Sequence, residues 1–190
     1  MKLIKVVLAC FVMFSAFNTN AQSTKPVFRS LTHVLYQVES GKIIIKQLFD
    51  IDSVGNTRLQ CVWPRGISDT TYLLADEKVA LLNSIFNDSK PLEDFVARRR
   101  LKAGEHFPGP YEYVKYVMPN GKTGELTFAA PLMADNFNRA LDLFIFAGKS
   151  FRDGDVIENA ELIRQAELSQ KKITYLPKIE PPPTVKDLRF

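Results

Sequence analysis

The side chains able to do chemistry in this 190-residue chain are few, and their spacing limits what they can do together. There are two histidines, His33 and His106, and two cysteines, Cys10 and Cys61. A thiol nucleophile needs an imidazole within hydrogen-bond reach, so Cys61 with His33 or His106 would be the pair to consider. A zinc site would need carboxylates to complete so small a His/Cys set. No glycine-rich phosphate loop and no H-E-x-x-H, C-x-x-C or G-x-S-x-G pattern occurs, so no cofactor, metal or catalytic residue is expected. Asp50-x-Asp52 followed by Gly55 opens like a calcium loop. The positions that must carry an oxygen ligand and a glutamate hold Val54 and Cys61 instead, which leaves a strand end and a turn. Asp50, Asp52 and Glu105 beside His106 are the carboxylates a small hydrolase would draw on.

Two further groups suit binding better than catalysis. The loop from Glu105 to Tyr113 sets His106, Phe107, Tyr111 and Tyr113 among prolines, and aromatics on a stiff loop can take sugar or peptide at low entropic cost. The competing use of Phe107 and the alternate tyrosines is to plug the core, which is the commoner fate of such residues. Arg98-Arg99-Arg100 with Lys102 is the densest positive charge. Three successive helical residues fan across about 200°, so they form a solvated face rather than one flat patch. His106, Phe107, Tyr111, Arg98 and Arg100 are therefore the candidate binding residues, with an envelope protein or peptide as the partner.

The elements that would position these groups can be read from periodicity. Val34, Tyr36 and Val38, then Ile43, Ile45, Phe49 and Ile51, then Leu59, Cys61 and Trp63 alternate between turns at Ser40-Gly41 and Val54-Gly55-Asn56. This predicts a three-stranded meander. A two-residue first turn sets Val38 opposite Ile43, Tyr36 opposite Ile45 and Val34 opposite Gln47. A three-residue second turn sets Ile51 opposite Leu59, Phe49 opposite Cys61 and Gln47 opposite Trp63. That register places His33 on the face away from Cys61 and predicts a buried, inert thiol beside Phe49.

Helical spacing follows, with Asp76 as N-cap and Leu81, Leu82, Ile85 and Phe86 paired one turn apart. Pro91 starts a shorter helix with Leu92, Phe95 and Val96 on one side. Tyr111–Met118 and Thr123–Ala130 flank Asn120-Gly121 as a second hairpin. From Asp135 to Gly148, Phe137, Ala140, Leu141, Phe144 and Ile145 make an unbroken apolar stripe, the expected central packing helix. A polar helix from about Val156 to Gln170 and a short strand at Ile173–Leu176 complete the set.

At the start, Lys2 and Lys5, the apolar run Val6–Phe17 and the junction Asn20-Ala21 have the three-part order of a cleavable secretion signal. Cutting at Cys10 in Val7-Leu8-Ala9-Cys10 would leave too short an apolar core for a lipoprotein signal. Residues 1–21 are thus expected to be removed, with Gln22 first in the mature chain, which lowers the net charge from +4 to +2. So small a charge argues against nucleic acid as a partner, and no later segment is long and apolar enough to span a membrane. The domain is expected over residues 22–180 and an extended proline-rich tail over residues 181–190. In that tail Leu188 and Phe190 alternate, and strand addition to a partner would use them. The fold expected is α+β: an antiparallel sheet of about five or six strands with two or three helices packed on one face. The function expected is that of an exported, non-enzymatic binding or accessory protein of the bacterial periplasm or cell surface. The alternative is a small carboxylate-dependent hydrolase of the envelope.

Overall fold

The chain is α+β, with antiparallel strands in the order β6-β5-β1-β2-β3-β4-β7. The structure is a computed structural model and describes residues 24–97, 107–142, 151–152, 154 and 156–170. The expected signal segment and tail, the strand at Ile173–Leu176, Arg98, Arg100, Glu105, His106, Phe144, Ile145 and Gly148 lie outside the described residues. Six strands are long: β1 (Ser30–Glu39), β2 (Lys42–Asp52), β3 (Asn56–Trp63), β4 (Gly66–Leu73), β5 (Tyr111–Val117) and β6 (Thr123–Phe128). The seventh, β7 (Phe151–Arg152), is a two-residue edge.

Of these, β4 has no counterpart in the expected meander. Ser68, Asp69, Thr70 and Thr71 occupy its centre, so it lacks an apolar alternation to read. Pairing of Trp63 with Gly66 across Pro64-Arg65 makes it a strand through backbone bonds rather than through burial.

The first hairpin turns as its sequence requires. Ser40 and Gly41 both take positive φ, 51° and 78°, and Glu39 faces Lys42. In the Asn120-Gly121 hairpin only Gly121 does so, at 85°, while the Asn120 side chain accepts the Lys122 amide at 2.9 Å.

Beyond the first turn the register departs from expectation. Val38 and Tyr36 face Ile43 and Ile45, but Leu35 then faces Gln47 and Val34 faces Leu48, leaving Lys46 as an extra residue in a bulge. A one-residue insertion sends every later side chain of β2 to the other face. Ile43, Ile45 and Leu48 therefore share one face, and Gln47, Phe49 and Ile51 share the other. In the second hairpin Ile51 faces Thr57, Phe49 faces Leu59 and Gln47 faces Cys61. This is a slip of two residues from the expected pairs, which keeps the faces unchanged. The sum of the two changes corrects the placement of His33: it lies on the same face as Phe49 and Cys61, with its ring stacked on Phe49 at 5.9 Å.

Each face of the sheet carries its own core. On one, Leu31, Phe49, Ile51, Leu59, Cys61, Val114, Tyr116 and Phe128 meet α1 (Asp76–Ile85), α2 (Asp135–Leu141) and the 3₁₀ turn Leu92–Phe95. On the other, Val34, Tyr36, Ile43, Ile45, Leu48, Tyr111 and Tyr113 meet Ile157 and α3 (Ala160–Gln170). The helices thus divide between the faces instead of sharing one. The reason lies in β1, whose run Leu31 to Tyr36 is apolar at both parities and so needs cover on both sides.

Local details follow from the same chemistry. Ala75 and Ala134, not Asp76 and Asp135, occupy the cap positions of α1 and α2. Asp76 instead accepts the Thr24 amide at 3.1 Å, and Asn83 binds Lys25 and Val27, so the first described residues lie along α1. Val79 takes the inward position that Leu81 was expected to fill, and Leu81 is exposed. Asn159 caps α3 by accepting the Leu162 amide at 3.1 Å.

Candidate functional site

Two polar residues break the apolar stripe on the face covered by α2. On β1 the inward positions are Leu31, His33 and Leu35, and on β5 they are Glu112, Val114 and Tyr116. The β1–β5 register sets His33 opposite Val114 and Leu35 opposite Glu112, so His33 and Glu112 are diagonal neighbours. Diagonal side chains on one face of a sheet are within reach of each other. Here His33 Nε2 and Glu112 Oε2 are 2.7 Å apart, with both side chains mostly buried. The two atoms share one hydrogen bond, and the roles of the ring nitrogens depend on the tautomer. Nδ1 is buried and has no hydrogen-bond partner among the described residues.

These residues lie in the wall of an open cavity of about 380 Å³. The sheet contributes His33, Leu35, Gln47, Phe49 and Glu112. Facing them are Ala130, and Asn138, Arg139, Leu141 and Asp142 at the end of α2. Lys78 of α1 holds that end in place, donating to the carbonyls of Arg139 at 2.9 Å and Asp142 at 2.6 Å. A cation there complements the helix dipole. Burial lowers the Lys78 pKa, with Asp142 opposing. Asn138 is oriented in turn, its Nδ2 donating to Ala130 O at 2.8 Å.

The residues expected to bind are placed elsewhere or lie outside the description. Tyr111 neighbours Glu112 in β5 and so points to the opposite face. It is buried there, stacked on Tyr36 at 5.8 Å. Its hydroxyl donates to Phe107 O at 2.9 Å and accepts the Phe107 amide at 3.2 Å. Phe107 is half-buried and meets Tyr111 edge-on. A small cavity of about 140 Å³ adjoins this loop. His106, Arg98 and Arg100 lie outside the described residues, as does Glu105.

Asp50 and Asp52 do not converge with any histidine described. Asp50 accepts the Thr32 hydroxyl at 2.8 Å. Asp52 closes its turn by accepting from the Val54 and Asn56 amides and the Asn56 side chain, each at 2.9 Å. Burial pushes its pKa upward, but those donors outweigh it and hold the carboxyl below its ordinary range.

Cys61 is a free, buried thiol whose pKa burial pushes up to about 11, with Ser68 opposing. Although His33 shares its face, no hydrogen bond joins them: Nε2 is committed to Glu112 and Nδ1 has no partner. Native Cys61 should therefore react with an aromatic disulfide reagent at least about a hundredfold more slowly than the denatured chain. Comparable rates in buffer and in denaturant would show that the thiol is accessible and active.

No group of three or more His, Cys, Asp or Glu able to hold a metal ion occurs among the described residues. No helix among them is long and apolar enough to cross a membrane. Compared with known protein families the chain matches none, and no curated protein matches it.

The pair His33–Glu112 has one visible trace in sequence. Glu112 interrupts the inward series Glu112, Val114, Tyr116, Met118, just as His33 interrupts Leu31, His33, Leu35. What links the two interruptions is the pairing of β1 with β5 across about eighty residues, and no local spacing encodes that.

Proposed function

We propose that this chain is an exported, non-enzymatic binding protein of the periplasm or cell surface, and that its ligand is a small molecule held between the sheet and the end of α2. The observation carrying this is the oriented His33–Glu112 pair in the wall of an open cavity with an apolar floor. Small-ligand sites are mostly apolar concavities with a few placed polar groups, and about 300 Å³ is the lower end of their usual size. The lining includes no serine, threonine, cysteine, lysine or tyrosine among the described residues. Of the residues the hydrolase reading drew on, Asp50 and Asp52 are engaged at a strand and a turn away from the cavity, and Glu105 and His106 lie outside the described residues.

The test is a melting-shift screen of the purified protein against a chemically diverse small-molecule library, run in parallel on Leu35→Trp, whose indole would fill the cavity. A ligand at about a hundred times its Kd stabilises by about 2.7 kcal/mol, raising Tm by several degrees. Hits that shift the native protein and not Leu35→Trp support the reading. Hits that shift both equally, or no hits at all, would sink it.

A further inference from the structure

The hydrogen-bonding capacity left unused in the cavity indicates the chemistry of its ligand. Glu112 Oε2 takes the His33 proton, while Oε1 has no partner among the described residues. Asn138 donates through Nδ2 to Ala130 O at 2.8 Å and to Met133 O at 3.5 Å, and its Oδ1 has no partner among the described residues. His33 Nδ1, in a residue only 5% exposed, has no partner among the described residues. The spare capacity of Glu112 and Asn138 among the described residues is thus carbonyl or carboxylate oxygen, an acceptor in both. Among the described residues of the lining, the exposed Arg139 and Asp142 carry opposite charges, and the mostly buried carboxylate is that of Glu112, bonded to His33. Below it Phe49 offers an apolar ring.

Resting on the binding reading above, the geometry points to a small protonated amine with an apolar body as the ligand. Its ammonium donates to Glu112 Oε1 and Asn138 Oδ1, and its carbon skeleton lies over Phe49. An anion would meet Glu112 with like charge. A neutral alcohol would donate to the same acceptors without bringing a positive charge to the carboxylate, which makes it the weaker partner.

Three probes of one shape and different charge test this by calorimetric titration: phenethylamine, phenethyl alcohol and phenylacetate. The amine should bind most tightly, with the alcohol about tenfold or more weaker, as expected when the donor's charge is lost from a hydrogen bond to a carboxylate. Glu112→Gln keeps an acceptor for His33 and removes the charge. It should melt like the native protein and bind the amine no better than the alcohol. Equal or tighter binding of the alcohol or phenylacetate overturns the amine assignment while leaving the cavity as a binding site. Failure of all three probes to bind also overturns it, whereas the cavity reading stands or falls on the wider screen and Leu35→Trp.

Discussion

Phe137→Ala is expected to destabilise the protein by about 3 to 5 kcal/mol, the largest single effect in the described core. Phe137 is fully buried in α2, with ring centroids 5.1 Å from Phe128, 5.4 Å from Phe95 and 6.1 Å from Phe86. These neighbours come from β6, the 3₁₀ turn and the end of α1, so each is fixed by its own element and cannot collapse into the space left behind. Residual cavity volume, added to lost transfer energy, places such truncations at the upper end of the range. Against a total of about 5 to 15 kcal/mol this is a large share, read as a fall in Tm of roughly 10 °C or more. Leu81→Ala on the exposed side of α1 is the matched control and should change Tm by only a few degrees. A loss below about 1 kcal/mol for Phe137→Ala would mean that α2 does not pack on the sheet as described.

The second large effect is a non-additivity. Glu112→Leu alone should cost about 1 to 3 kcal/mol, because it strands the His33 Nε2 donor in a mostly buried position. His33→Leu alone leaves the carboxylate without its donor and carries a penalty of similar kind. Replacing both by leucine removes donor and acceptor together and continues the apolar stripe of Leu31, Leu35, Val114 and Tyr116, so the double variant should be nearly as stable as the native protein. Denaturant unfolding of all four proteins closes the cycle. Losses that simply add would show that the pair has no coupling, and with it would go the preorganised acceptor on which the ligand assignment depends. The double variant should fold well yet fail to bind any ligand that needs Glu112, which separates the site from the scaffold.

The sequence by itself determined the kinds of element and much of their extent. Alternation set β1 to β3, and the turn residues Ser40-Gly41 and Asn120-Gly121 set two hairpins. The α+β class follows from these runs together with the helical spacing read at Leu81–Phe86 and from Phe137 onward. These are local properties: side-chain period and backbone φ preference act over a few residues and are written there.

Tertiary structure decided the faces and the site. The bulge at Lys46 comes from β2 fitting β1 and β3 at once, and one extra residue moved His33 to the side of Phe49 and Cys61. By contrast, the two-residue slip against β3 changed partners without changing faces, because side chains repeat every second residue. β4 escaped notice because a polar strand near the sheet edge is specified by the neighbour it pairs with and not by its own pattern. The cavity required the most: β5 laid beside β1 to bring Glu112 to His33, and Lys78 holding α2 across both. Each of those contacts joins residues about sixty to eighty positions apart. Their energies reside in pairings that exist only once the sheet has closed, so no window of sequence could have displayed them.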